Sequence, residues 1–214
     1  AGCISDPAFV SVNIVELPKQ PTLINTTSIN NPACLGSVVT LTASVVTGAV
    51  SYRWTSPTFD TTSTPANVLT ISDVNIAQHA GQWMVKALGN PCESLPSTAS
   101  TVYIAPAPQS VSATSTPASV CEGQNVQLSA SSASQNVTYF WTYPNGQTSA
   151  LQNPVLTNVN SGNKGNYSLT ITNQYGCSKQ STITLDVISR VNITGISSDV
   201  PTCVTGPISV NLNA

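Results

Sequence analysis

The chain matches itself. With Cys34 set against Cys121, Cys34-x-Gly36-x-x-Val39-x-Leu41-x-Ala43 falls on Cys121-x-Gly123-x-x-Val126-x-Leu128-x-Ala130. A tryptophan stands twenty residues past each cysteine, Trp54 and Trp141, and a proline three residues further on, Pro57 and Pro144. Leu69-Thr70 and Leu156-Thr157 lead into Val74-Asn75 and Val159-Asn160. Gly81-Gln82-Trp83 then answers Gly165-Asn166-Tyr167, and each is followed by alternating apolar residues and a further cysteine, Cys92 or Cys177. Landmarks that agree at so many positions mean one structural unit written twice, and any fold assigned to the chain must be buildable from that unit.

The two ends carry fragments of the same pattern. Cys3 followed by Val10-x-Val12-x-Ile14 reads like the close of a unit, as Cys177 is followed by Ile183-x-Leu185-x-Val187. Cys203 followed by Val210-x-Leu212-x-Ala214 reads like the opening of one. The expected organisation is therefore the last strand of a preceding repeat over 1–17, one repeat over 18–104, a second over 105–189, and the first part of a following repeat over 190–214. Such a piece is expected to come from a longer array.

Within each unit the pattern is that of strands. Fifteen prolines and twelve glycines punctuate short runs rich in Thr, Val and Ser. No segment keeps apolar residues at helical spacing over three turns, whereas Val39, Leu41 and Ala43 alternate as a half-buried strand requires. The expected strands of the first repeat lie near 21–29 and at 37–45, 50–55, 67–72, 82–88 and 96–104. Their counterparts are 109–119, 124–132, 137–143, 153–158, 166–173 and 180–188. A further strand between the third and the 67–72 or 153–158 segment is weak in both repeats and reads as a loop. This is an all-β chain, and a sandwich is the natural closure.

A tryptophan on the third strand and Gly-x-aromatic opening the strand near 82 or 166 resemble the immunoglobulin-like fold. The resemblance implies that Trp54 and Trp141 fill the space between two sheets, with Trp83 and Tyr167 at a corner. The run Cys-x-Gly-x-x-Val-x-Leu-x-Ala, then Trp, then Tyr-x-Leu-x-Ile-x-Asn-x-x-Gly-Cys further resembles the Ig-like and PKD-like repeats of giant surface proteins of Bacteroidota. Those include adhesins tied to gliding motility and other cargo of type IX secretion. That likeness implies tandem sandwich repeats in an extended rod at the bacterial cell surface. One departure stands out, because antibody-type domains bridge their sheets with mid-strand cysteines. Here those inner positions hold Ala43, Ala130, Val85 and Leu169, and the cysteines stand at strand ends.

Six cysteines in a polar chain suggest disulfides and an oxidising compartment. Pairing within repeats, Cys34–Cys92 and Cys121–Cys177, must cross the length of a sandwich. A seven-residue strand spans roughly 20–25 Å, whereas bonded cysteines need Cα atoms within about 7 Å. Tandem stacking brings the opening pole of one repeat to the last hairpin of the next, which favours Cys34–Cys177. By the same rule Cys3, Cys92, Cys121 and Cys203 pair with repeats outside the sequence. The proline-bearing junctions at 104–108 and 16–19 add stiffness.

Chemistry is sparse. Only 7% of residues are charged, against roughly 25% in ordinary domains, and the net charge of −2 offers no footprint for nucleic acid or anionic lipid. No run of 18 apolar residues exists to insert in a membrane. His79 is the single histidine, the eight acids are scattered, and no nucleophile, phosphate-loop or metal-ligand spacing is present. No enzyme, metal or other cofactor is expected. Strand alternation sets Tyr139, Trp141 and Tyr143 on one face and Phe140 on the other, so Phe140 and Tyr143 are the candidates for contact with a ligand. Asp60-Thr61-Thr62 is the one match to a bacterial O-glycosylation motif, with Thr61 its acceptor. The expected role is a stalk or filament segment of a secreted adhesin, whose partners are neighbouring repeats of the same chain. The alternatives are a module that binds surface polysaccharide or another cell-surface protein, and an accessory array of a secreted hydrolase.

Overall fold

The computed structural model describes Gly2 and residues 8–189. Cys3, Cys203 and the segment 190–214 lie outside the described residues. Residues 8–17 make no sheet pairing, and Val10, Val12 and Ile14 are exposed.

Two hydrophobic cores organise the rest. Around the first stand β1 (Leu23–Asn25), β2 (Ala33–Cys34), β3 (Val39–Ala43), β4 (Ser51–Thr55), β5 (Thr61–Thr64), β6 (Val68–Ile71), β7 (Gly81–Leu88), β8 (Ser100–Val102) and β9 (Ile104–Ala105). Around the second stand β10 (Ser112–Thr116), β11 (Ser119–Cys121), β12 (Val126–Ser131), β13 (Val137–Thr142), β14 (Thr148–Ser149), β15 (Val155–Leu156), β16 (Gly165–Asn173) and β17 (Ser178–Ile188). Among the described residues the helical content is one turn, α1 (Ile76–His79), and a 3₁₀ turn at Ser161–Asn163 in the equivalent place.

The first unit packs the sheet β1-β3-β6 against β5-β4-β7-β8, and the second packs β10-β12-β15 against β11-β17-β16-β13-β14. Each unit is an immunoglobulin-like sandwich. Alternation explains the cores directly. Val39, Leu41 and Ala43 of β3 face inward with Tyr52 and Trp54 of β4, and Trp83, Val85 and Ala87 of β7 close the opposite side. In the second unit Val126, Leu128 and Ala130 meet Trp141 and then Tyr167, Leu169 and Ile171. Both sandwich tryptophans have 0% exposure. The apolar positions expected to replace a sheet-bridging disulfide, Ala43, Ala130, Val85 and Leu169, are all buried.

The opening strand of each unit changes sheets. In the second unit β10 pairs antiparallel with β12, while β11, just beyond Pro117, pairs parallel with β17. In the first, β1 pairs with β3, and β2 pairs parallel with β9. The expected first strands near 21–29 and at 109–119 are shortened to β1 and β10, and each is followed by a second short strand, β2 or β11. The weak segment expected as a loop is also a strand in both units. It forms β5 and β14, each beside the third strand on the sheet containing β7 or β16. Thr-Thr-Ser-Thr carries no apolar alternation, so nothing in its sequence signals an edge strand. Its place is held by pairing, and by Trp54 Nε1 donating to Thr64 Oγ1 at 2.8 Å.

Candidate functional site

The chain's most distinctive chemistry lies where the two units meet. Parallel pairing sets Cys34 beside Ala105, with Ala33 N donating to Tyr103 O and Leu35 N to Ala105 O, each at 2.9 Å. The opening pole of the first unit is thereby laid along its own last residues, just before Pro106-Ala107-Pro108 enters the second. From the other side comes the hairpin joining β16 to β17. It closes through Asn173 N to Cys177 O at 2.9 Å and Gly176 N to Asn173 O at 3.0 Å. The turn needs Gly176 at φ +80°, a conformation that costs a residue with a Cβ. The hairpin presses Cys177 onto the junction, its Sγ 3.8 Å from Ala105 O. There Cys34 and Cys177 are joined by a disulfide, with Cα atoms 5.5 Å apart and a sequence separation of 143. Cys177 is 1% exposed. An open apolar crevice of about 290 Å³ flanks the junction, with Ile29, Pro32 and Tyr103 from the first unit and Tyr175 from the second.

The other two described cysteines, Cys92 and Cys121, are free thiols in equivalent frames. Cys121 pairs with Ile188 on β17, and Glu122 N donates to Ile188 O at 3.0 Å. That repeats the Cys34 and Leu35 arrangement on the strand leaving the second unit. Cys92 sits in the hairpin after β7, which closes through Gly89 N to Cys92 O at 2.9 Å. Beside it a groove of about 480 Å³ runs between Thr47, Gly48, Gly89 and the entering segment Val15–Lys19. The next residue, Glu93, is bound by Arg53 at 2.6 Å and Lys86 at 3.5 Å. Burial pushes the Glu93 carboxyl up, but the Arg53 and Lys86 cations outweigh it and hold it below the usual carboxylate range.

Sequence reasoning did not anticipate how this hairpin is braced. Ser94 and Ser97 are buried, and their Oγ atoms accept from Ala87 N at 2.9 Å and Val85 N at 3.0 Å. Their own N–H groups donate to Ala87 O and Val85 O, both at 2.8 Å. Two serine side chains therefore stand in for a ladder that Pro96 cannot join. The Ser-x-x-Ser spacing around a proline was the available signal.

The corner residues act alike in both units. Trp83 Nε1 donates to His79 O at 2.9 Å, and Tyr167 Oη to Asn163 O at 2.8 Å, four residues back in each case. Burial pushes the Tyr167 phenol above its usual range. Asn75 caps α1 by accepting from Gln78 N at 2.9 Å, and His79 Nδ1 in turn accepts from Asn75 N at 3.0 Å. At Gly81 and Gly165, φ is 130° and 137°, and an added Cβ would lie 3.0 Å from Pro57 or 3.1 Å from Pro144. That contact explains why the proline and the glycine recur together. Gly165→Ala should cost the second unit about 2 kcal/mol through backbone strain and crowding. Gly146→Ala, at φ +80° with nothing within 4 Å, should cost less. Urea midpoints at unchanged slope measure both, and equal shifts would remove the role of Pro144.

The two candidate ligand contacts do not come together. Phe140 is 50% exposed on the outer face of β13, opposite Thr170. Tyr143 packs on the core, its ring 5.2 Å from that of Tyr167. In the first unit Arg53 takes the place of Phe140 and is engaged by Glu93. Thr61 is exposed on β5, and the neighbouring Asp60 carboxylate accepts from Thr58 Oγ1 at 2.8 Å. Among the described residues no group of His, Cys, Asp and Glu could hold a metal ion, and no helix is long and apolar enough to cross a membrane.

No curated protein matches the chain. Murine CEACAM1b is similar in structure at 16% identity and TM-score 0.38, over 79% of this chain and 100% of its own. The human OSCAR ligand-binding domain is similar at 15% identity and TM-score 0.36, over 79% and 100%. The three N-terminal domains of the bacteriophage RB49 outer capsid protein Hoc are similar at 16% identity and TM-score 0.34, over 78% and 59%. The family model of the PKD-like domain matches residues 107–187. That match covers the second unit, whose two packed sheets form the sandwich described above.

Proposed function

We propose that the chain is a stalk segment of a secreted bacterial surface adhesin, in which disulfides between successive sandwich units make a stiff rod that carries force. The observation behind this reading is the Cys34–Cys177 bond, which joins one unit to the next rather than closing a unit on itself. Flexible hinging is the default between sandwich units joined by a short linker, and a covalent tie beside that linker removes most of it. The frames of Cys121 and Cys92 extend the rule outward. Each repeats one half of the bonded junction, and each faces chain that leaves or enters the pair. The same rule assigns Cys3 and Cys203 to further units. A disulfide fits an oxidising, extracellular location, and surface-adhesin repeats of Bacteroidota carried by type IX secretion offer the setting in which such a rod serves attachment or gliding.

Non-reducing peptide mapping of natively secreted protein tests this. A peptide linking Cys34 to Cys177 is expected, with Cys92 and Cys121 bonded to peptides of neighbouring units. Cys34 found joined to Cys92 would overturn the reading.

The exposed Phe140 favours a second reading, in which the outer face of β13 stacks on a sugar ring. A glycan array separates the two. The stalk reading expects no selective signal and no change with Phe140→Ala, whereas a selective signal lost in that variant would make the unit a carbohydrate-binding module.

A further inference from the structure

The carboxamide of Asn173 is the most connected side chain at the junction. Its Oδ1 accepts from Tyr175 N and from Cys177 N, both at 3.0 Å, which fixes the hairpin that presents the thiol. Its Nδ2 donates across the junction to Pro106 O at 2.9 Å. One planar group therefore holds the cysteine-bearing hairpin and the entering linker in a single geometry. The equivalent position in the first unit is Gly89, identified by the shared hairpin bond to the carbonyl of its cysteine. An added Cβ there would lie 3.0 Å from Pro18 Cγ, so the segment entering the first unit packs directly on the glycine, without a side-chain tie.

We infer that Asn173 is a positioning residue for oxidation of the junction, directing Cys177 to Cys34 rather than to Cys92 or Cys121. This rests on the reading of the bond as an inter-unit coupling. The reaction needs a small-molecule disulfide as oxidant. The Cys34 thiolate attacks it, forming a mixed disulfide and releasing one thiolate. The Cys177 thiolate then attacks Cys34 Sγ, and the second small thiolate leaves. The oxidant takes up the two electrons, and its two thiolates take the two protons the cysteines lose. The second step requires Cys177 Sγ to be held at Cys34, and the Asn173 hydrogen bonds hold the hairpin there before the bond exists. Preorganisation of this kind appears as a raised effective concentration of one thiol at the other.

The test is the full chain equilibrated in glutathione buffers of known ratio, with cysteine pairing read by peptide mapping. Asn173→Asp keeps both acceptor bonds to the hairpin and replaces the donor to Pro106 O with a repelling oxygen. It should lower the effective concentration of Cys177 at Cys34 about fivefold and raise the share of Cys34 in other pairings. Thermal unfolding of the reduced protein should move less in this variant than in Asn173→Ala, because both hairpin bonds are retained. Asn173→Ala should lower the effective concentration further. An Asn173→Asp value within twofold of wild type would overturn the inference and leave Asn173 a turn-forming residue only. Wild-type protein that never joins Cys34 to Cys177 would instead overturn the coupling itself, and the two failures are distinct.

Discussion

Stretched from handles at its two ends, the oxidised chain will fall short of the contour length of the reduced chain by about 500 Å. The Cys34–Cys177 bond spans a sequence separation of 143, and an extended residue contributes about 3.5 Å. Tension that reaches Cys34 passes through the sulfurs to Cys177, so the strands from β3 to β16 lie on a bypassed loop. Only β1, β2 and β17 are on the force path. They can be peeled from their neighbours, yet the loop stays slack until the bond is reduced. Cys34→Ser should reproduce the reduced trace in oxidising buffer. Equal contour lengths with and without reductant would show that the bond is absent from the protein, and the case for a rod would go with it. If Cys92 and Cys121 are bonded to neighbouring units in the same way, the shortest covalent path through an array skips most of each sandwich. Such an array would resist extension even where individual units are marginally stable.

Much of this was legible in the sequence because the repeat made each landmark testable against its twin. The core strands follow from alternation at Val39, Leu41 and Ala43, and at Val126, Leu128 and Ala130. The corner glycines and aromatics were visible as a pair. Three features were not legible, each for a physical reason. Strands β5 and β14 consist of hydroxyl residues at an edge, held by pairing rather than by burial, so no periodicity betrays them. The opening strands change sheets at a break that hydrophobic pattern does not mark. Asn173 acts through three hydrogen bonds to backbone groups, two in its own hairpin and one on the far side of the junction. An Asn near a Gly-Cys turn reads locally as turn chemistry, and only the folded arrangement places Pro106 O within its reach.

The sandwich tryptophans should show the largest stability losses, and the losses should depend on redox state. Trp54 and Trp141 are fully buried, with Trp141 Nε1 donating to Gln152 O at 3.3 Å. No disulfide bridges the sheets behind them, since the positions that could hold one are Ala43, Val85, Ala130 and Leu169. Trp54→Ala or Trp141→Ala should therefore cost its own unit about 3–5 kcal/mol, a large part of a typical domain's total. The junction bond changes the consequence. Cys177 touches Ala105, so while the second unit stays folded, Cys34 remains anchored near Ala105. An unfolded first unit is then a closed loop from Cys34 to Ala105 rather than a free chain. Closing such a loop contributes about 2–4 kcal/mol, enough to offset much of the Trp54→Ala loss. Oxidised Trp54→Ala protein should keep its first unit folded at 25 °C, while the reduced variant unfolds it and leaves the second unit intact. Calorimetry with and without reductant reads this as one transition that moves and one that stays. If the Trp54→Ala transition is insensitive to reduction, the two units are not thermodynamically coupled through Cys34 and Cys177, and the bond does no more than tether them.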